Sequence, residues 1–166
     1  MKYRKIPYIL SLWLVVLLAK LWYRECSWEQ LSFILQPLKS ILEGLISTRF
    51  TYTPNGYLCP EGYLITKDCS GFNFLLISFL TLGFSLGKKF NYNLIAFLAT
   101  SLLAYTLTLF ANTSRIISLI SCELFFEVDS NLHLAIGTIV YLSILLIAYA
   151  FIHPPLNRKN NATISA

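Results

Sequence analysis

The chain has 166 residues, of which 56 % are hydrophobic and only 13 % are charged. A soluble domain of this length could not bury so much apolar surface, because a small domain leaves a large share of its residues in contact with water. The net charge of +5 comes from basic residues in runs no longer than two, so we interpret it as a signal of membrane orientation and exclude nucleic-acid binding.

Four nearly uncharged stretches are long enough to cross a hydrocarbon core of about 30 Å, which takes about 20 helical residues. They cover residues 6–23, 72–87, 92–111 and 132–152. The first stretch has the basic start of a signal peptide, but no small-residue cleavage site follows it, so we expect an uncleaved anchor. The sequence predicts an all-α integral membrane protein with a single transmembrane domain over residues 1–156 and a disordered cytoplasmic tail over residues 157–166.

The distribution of charge predicts the side of the membrane on which each segment lies. With a cytoplasmic N-terminus, the inner segments hold seven basic residues and no acidic one: Lys2, Arg4, Lys5, Lys88, Lys89, Arg158 and Lys159. All eight acidic residues then lie outside. Because basic residues concentrate in short cytoplasmic loops, we expect both termini in the cytoplasm and membrane lipids around the spans.

The outer segments carry their own periodic patterns. Apolar residues recur at helical spacing over residues 28–46, which predicts an amphipathic helix along the outer interface, kinked or restarted at Pro37. Residues 50–58 then predict a small β-hairpin that turns at Asn55-Gly56. A second turn, at residues 60–62, leads into residues 63–66 and from there directly to Cys69.

Three polar side chains fall at the outer ends of three different spans. Cys69 lies just before the second span, Arg115 follows the third span, and His133 opens the fourth. Because the spans alternate in direction, this topology brings the three residues to one depth. The sequence therefore predicts that they converge at the outer membrane face.

Each of these residues has a structural alternative beside its chemical one. A helix start favours the thiolate of Cys69, and the small Ser70 and Gly71 would let a substrate carbonyl approach the free N–H groups; alternatively, Cys69 is a small apolar filler or a disulfide partner. Arg115 can face a polar cavity or bind lipid headgroups, and His133 can decorate the helix start. Together, a thiolate, a proton carrier and a fixed cation are what cysteine acyl transfer requires.

These positions resemble the exosortase/archaeosortase family of membrane transpeptidases. The resemblance lies in Cys69-Ser70-Gly71 with the following Phe72-Asn73-Phe74, in Ala111-Asn112-Thr113-Ser114-Arg115, and in His133 at the start of the last span. It covers roughly residues 63–149 and implies that the catalytic Cys, Arg and His of the family correspond to Cys69, Arg115 and His133. Most relatives have several spans before the cysteine, whereas this chain has one and is similar to the compact exosortase K type.

The resemblance also implies a location and a reaction. The enzyme would be a multi-pass protein of the bacterial cytoplasmic (inner) membrane with its active site outside. Its substrates would be secreted proteins that end in a short recognition motif, a transmembrane helix and a basic tail. The enzyme would cut before that helix and pass the protein to an acceptor, a glycan or a lipid.

A thioester mechanism follows from these roles. Cys69 attacks the scissile carbonyl, His133 carries the thiol proton to the leaving amine, and Arg115 stabilises the oxyanion or the thiolate. Asn112, one helical turn from Arg115, is the expected orienting residue for His133, unless it caps the helix; Asp68 and Asp129 are the alternatives.

The other cysteines, Cys26, Cys59 and Cys122, are also expected outside, where an oxidising environment permits one disulfide. Among the three pairs we favour Cys59–Cys122. A zinc site at Cys59, Cys69, Cys122 and His133 lacks the usual ligand spacing, so we expect no metal and no cofactor. Two rival functions stay open: hydrolysis of the same thioester, and a non-enzymatic chaperone or binding subunit in which Arg115 and His133 bind lipid headgroups or a partner helix.

Overall fold

The computed structural model describes residues 2–60, 62–123 and 130–152, and this part of the chain is mainly helical. Its elements follow in the order α1 (Lys2–Glu25), α2 (Ser32–Ile46), β1 (Thr51–Thr53), β2 (Gly56–Leu58), β3 (Leu64–Ile65), α3 (Phe72–Lys89), α4 (Leu94–Glu123) and α5 (Ser130–Ile152). Short 3-10 turns at Glu29–Leu31 and Lys67–Ser70 precede α2 and α3.

Four of these helices are long and apolar enough to cross a membrane. The candidate spans are Lys5–Glu25, Lys67–Lys89, Leu94–Cys122 and Asn131–Ile152. The predicted membrane fold of four apolar helices with a small sheet is therefore confirmed. The tail predicted to be disordered, residues 157–166, lies outside the described residues.

Helix α3 is the central helix of the bundle and packs against α1, α4 and α5. Within the protein, 56 % of its span is buried, compared with 6 % for the span in α5. Helix α5 therefore presents most of its apolar surface outward and is held to the bundle along one side only.

Helix α4 is longer than the predicted span and reaches past both Asn112 and Arg115. The prediction ended the span at residue 111, whereas the helix has 30 residues and ends at Glu123. Residues 94–123 contain no glycine or proline that would end it. The Thr113 hydroxyl also donates to the Leu109 carbonyl over 2.8 Å, which satisfies this polar group within the helix. Arg115 thus lies inside a continuous helix and not after its end.

The amphipathic helix is confirmed as α2. Its buried stripe comprises Ile34, Leu35, Leu38 and Leu42, and Leu31 of the preceding turn joins it, all with no exposed surface. The stripe packs against α4, and the helix continues through Pro37, so of the predicted kink or restart at this residue the restart does not occur. This helix therefore covers part of α4.

The predicted hairpin forms the first two strands of a three-stranded antiparallel sheet in the order β1-β2-β3. Thr53 pairs with Gly56, so the loop is Pro54-Asn55 and not the predicted Asn55-Gly56. Gly56 has a φ of 144°, and a β-carbon there would overlap the Ile65 carbonyl oxygen of β3. The glycine is thus required by the third strand, which the hairpin pattern did not include.

Candidate active site

Cys69 lies in the 3-10 turn that leads into α3. Its backbone N–H donates to the Thr66 carbonyl over 3.0 Å, and its Sγ lies 4.0 Å from the Leu64 carbonyl oxygen. The side chain is half-buried.

The turn that carries Cys69 is attached to the end of α1. The Lys67 ammonium donates to the Cys26 carbonyl over 2.7 Å and lies 3.4 Å from the Arg24 carbonyl. It also lies 4.8 Å from the centre of the Tyr23 ring. A cation at a helix C-terminus is favoured by the helix dipole, so Lys67 fixes this turn in place.

Ser70 and Gly71 serve local packing. Ser70 is fully buried, and its Oγ accepts a hydrogen bond from the Phe72 N–H over 3.3 Å. Gly71 has a φ of +64°, and a β-carbon there would overlap the amide of Asn112. We expected these small residues to leave room for a substrate carbonyl. On this side of Gly71 the space is instead filled by Asn112.

Arg115 and His133 meet between α4 and α5. The Nη2 atom of Arg115 lies 2.7 Å from Nε2 of His133. A guanidinium only donates, so Nε2 must accept; in this geometry His133 is neutral and carries its proton on Nδ1. The predicted convergence of these two residues is therefore present. Gly137 makes room for it, because a β-carbon there would lie 2.9 Å from Nε of Arg115.

Tyr141 joins the site from α5 and was missed by the sequence analysis. Its hydroxyl donates to Oδ1 of Asn112 and lies 3.4 Å from Nη1 of Arg115. The Arg115 Cζ lies 5.7 Å from the centre of the Tyr141 ring, which stacks on Phe74 with the centroids 4.6 Å apart. Gly137 and Tyr141 follow His133 by four and eight residues, a helical spacing that could have revealed them.

Asn112 has a different role from the one that we expected. Its Oδ1 is bonded to Tyr141, while the contact of 2.7 Å to His133 comes from Arg115. Asn112 is not a helix cap either, because α4 continues to Glu123. Of the alternative orienting residues, Asp68 lines the cleft described next, and Asp129 lies outside the described residues.

A cleft of about 200 Å³ opens beside these groups. Its polar lining includes Asp68, Asn73, Arg115, His133 and Tyr141. Cys69 itself does not line the cleft, although its neighbours Asp68 and Gly71 do. The structure thus brings Arg115 and His133 into direct contact and places Cys69 at the margin.

An apolar groove of about 300 Å³ continues from the cleft between α3 and α5. It shares Asn73, Phe74, Thr138 and Tyr141 with the cleft, and its remaining lining is Ile77, Leu142 and Leu145. A polar end and an apolar extension therefore adjoin along the same pair of helices.

Two buried donors at the site lack hydrogen-bond partners among the described residues: Nδ2 of Asn112 and Nε of Arg115. Buried polar groups are nearly always paired, so unpaired ones mark a place where the protein tolerates a cost in stability.

The predicted disulfide between Cys59 and Cys122 is not formed; no disulfide links the four cysteines, all of which are described. Cys59 is buried in the cluster of apolar side chains between α2, the sheet and α3. Cys122 lies on the last turn of α4, outside that cluster. Among the described residues, no three potential ligands lie together as a metal site, so the zinc alternative gains no support.

Comparison with models of protein families, with curated proteins and with solved structures finds no match to this chain. The fold and the site define a membrane protein of four apolar helices with a polar cleft.

Proposed function

We propose that the chain is a membrane-embedded cysteine transpeptidase that cleaves the C-terminal sorting signal of secreted proteins. The contact of 2.7 Å between Arg115 and His133, next to the turn that bears Cys69, is the observation that carries this proposal. It places a cation and an imidazole on one wall of a cleft whose other wall adjoins a thiol. The family resemblance of these three positions supports the same function.

In the proposed reaction, the Cys69 sulfur forms a bond to the scissile carbonyl carbon. The thiol proton passes to His133 and then to the leaving amine as the C–N bond breaks. A hydroxyl or amine of a glycan or lipid acceptor then gives its proton to His133 and attacks the thioester carbonyl. The C–S bond breaks, and the released thiolate regains that proton from His133. Attack by water would give hydrolysis by the same steps.

Before His133 can accept the thiol proton, its Nε2 must lose the hydrogen bond from Arg115. Its Nε2 lone pair accepts from Arg115, and a neutral imidazole has a single acceptor nitrogen, so His133 cannot accept the thiol proton in this arrangement. If the guanidinium moves onto the developing oxyanion, Nε2 becomes available. One donor to an oxyanion contributes on the order of 10²–10³ in rate.

The surroundings of the cleft suit a tethered substrate. With both termini cytoplasmic, as the basic residues of the short inner segments favour, the cleft faces the exterior. The apolar groove that continues from the cleft between α3 and α5 offers a surface for the transmembrane helix of the substrate. The family resemblance implies a location in the bacterial inner membrane.

The test is the processing of a secreted reporter that carries a C-terminal tail taken from a protein encoded beside this chain. Cys69→Ala and His133→Ala should each abolish processing, and the double variant should be no worse, because residues that act as a unit give non-additive losses. Arg115→Lys keeps the charge but loses the planar fork, so it should be severely impaired.

Cys122→Ala is the matched control, because Cys122 is also half-buried but lies on the last turn of α4. It should retain processing. Tail removal by Cys69→Ala at a normal membrane level would overturn the proposal. The mass of the released protein distinguishes transfer to an acceptor from hydrolysis.

A non-enzymatic binding subunit is the second candidate. It is favoured by the position of Cys69 outside the cleft lining and by the engagement of Nε2 of His133. In that case Cys69→Ser would be tolerated, while Arg115→Ala would abolish binding of the partner.

A further inference from the structure

Tyr141 is the point at which side chains from three helices meet. Its ring stacks on Phe74 of α3, and its hydroxyl contacts Asn112 and Arg115 of α4. It therefore contacts two residues of α4 and one of α3.

The donor and acceptor roles of the hydroxyl in these two contacts are fixed. A tyrosine hydroxyl has a single proton, and that proton is donated to Oδ1 of Asn112. The lone pairs of the oxygen then face Arg115, whose Nη1 donates over 3.4 Å. Asn112 is fully buried, so its amide is a fixed reference within α4.

We propose that Tyr141 is the positioning residue of the site. Its hydroxyl and ring hold the Arg115 guanidinium in the orientation in which Nη2 meets Nε2 of His133. Held in this orientation, the guanidinium favours the neutral tautomer of His133 that carries its proton on Nδ1. As far as catalysis is concerned, this inference rests on the proposed function: Tyr141 keeps Nη1 in place while Nη2 leaves His133 for the oxyanion.

The role of the hydroxyl is separable from packing. Tyr141→Phe keeps the ring that stacks on Phe74 and lies beneath Arg115, and it removes only the hydroxyl contacts. Tyr149→Phe is the matched control, because Tyr149 lies two turns further along α5 and does not line the cleft.

The decisive measurement is the tautomer of His133 in the full-length protein. The chain has two histidines, His133 and His153, so a His153→Gln background with ¹⁵N-labelled imidazole leaves one residue to observe. We expect one set of signals, with a protonated Nδ1 and a hydrogen-bonded Nε2. Tyr141→Phe should shift the signals toward a mixture of tautomers, whereas Tyr149→Phe should leave them unchanged.

An Arg115→Lys background tests whether Tyr141 acts on His133 through Arg115. If Tyr141 acts through Arg115, Tyr141→Phe should cause no further spectral change in that background, whereas a general loosening of the helices would add to the first change. Asn112→Ala provides a second variant and should shift the signals in the same direction. Unchanged signals in a folded Tyr141→Phe or Asn112→Ala protein would overturn the proposal.

Processing of the tailed reporter supplies a separate readout. Tyr141→Phe should lower kcat about tenfold with little change in KM, the pattern for loss of a hydrogen bond to a charged group that matters mainly in the transition state. If the tautomer shifts but the unmodified protein processes no tail, the proposed function fails and the positioning role stands. If the tail is processed and Tyr141→Phe changes neither the spectrum nor kcat, the positioning role fails alone.

Discussion

The amide of Asn112 lies against the α-carbon of Gly71, where a β-carbon at residue 71 would be. Asn112 is fully buried in α4, and Gly71 is the residue from which α3 begins. This contact joins the start of α3 to α4 one helical turn before Arg115. The position of the Cys69 turn relative to Arg115 therefore depends on residue 71 having no side chain.

Gly71→Ala should separate these two helices. The new methyl group would overlap Asn112, and a φ of +64° is unfavourable for alanine. We expect a loss of about 1–3 kcal/mol in stability, measured by thermal unfolding in detergent. Gly44→Ala in α2 is the control, because no atom lies within 4 Å of its β-carbon position, and it should be neutral or stabilising. Equal stability of the two variants would contradict the packing role of Gly71.

Gly137→Ala should affect the site more than the fold. Inside a helix such as α5, alanine is more favourable than glycine by up to about 1 kcal/mol. This gain offsets part of the strain that the new side chain causes. Its β-carbon, however, would lie 2.9 Å from Nε of Arg115 and would displace the guanidinium from His133. We expect near-normal unfolding with a clear drop in reporter processing. A Gly137→Ala protein that is destabilised but keeps full processing would contradict a role of Gly137 in placing Arg115.

The four thiols should differ in reactivity. Cys26 and Cys59 are 5 % and 1 % exposed, while Cys69 and Cys122 are half-buried. In native membranes, a thiol reagent should modify Cys69 and Cys122 and spare the other two. Arg115→Ala should slow the labelling of Cys69 but not of Cys122. Mass spectrometry without reductant checks the absence of a disulfide, and a Cys59–Cys122 cross-link would refute the arrangement described above.

Glu43 should make stability depend on acidity. Its carboxylate accepts from the Phe50 N–H over 2.8 Å and pairs with Lys39 over 3.2 Å. The hydrogen bond from Phe50 is the main cause that holds the pKa of Glu43 below its ordinary value of 4.5. A lowered pKa stabilises the fold above that value, and the stabilisation is lost as the pH falls through the pKa of the folded state.

Glu43→Gln should therefore be less stable than the unmodified protein at pH 7, and the difference should shrink as the pH drops below 4.5. Thermal unfolding over a range of pH measures it. Glu25→Gln, on the exposed end of α1, serves as the control. A difference that stays constant with pH would mean that the charge of Glu43 is not responsible.

The proposed orientation predicts opposite labelling of two loops. Asn55 lies in the exposed hairpin loop, and Asn91 lies between α3 and α4, next to Lys88 and Lys89. In intact cells, an impermeant reagent should reach a cysteine placed at Asn55 but not one placed at Asn91. Labelling of Asn91 alone would invert the topology and remove the external cleft.

The main features of the fold could be predicted because they depend on hydropathy. A span must be apolar for about 20 residues, and a helix lying against the bundle must repeat its apolar residues at helical spacing, as Ile34, Leu38 and Leu42 do. The convergence of Arg115 and His133 was predictable for a similar reason, since alternating spans bring every second end to the same side.

The finer contacts could not be predicted because they depend on how each helix is rotated about its axis. Asn112 could face His133 or Tyr141, and only the packing of α4 against α5 decides between them. The length of α4 was underestimated because polar residues at 112–115 suggested an end that the helix does not have. The burial of Cys59 likewise depends on the third strand. That strand has only two residues, too few to produce a recognisable pattern in the sequence.

The continuity of α4 makes the site sensitive to the thickness of its membrane. At 1.5 Å per residue, Arg115 lies about 30 Å along the helix axis from Leu94, close to the thickness of an average hydrocarbon core. A helix without a break cannot shorten, so lipids with longer acyl chains would draw the guanidinium toward the hydrocarbon, and shorter ones would lift it into the headgroups. Acyl-chain length would then tune the cleft without any change in the protein.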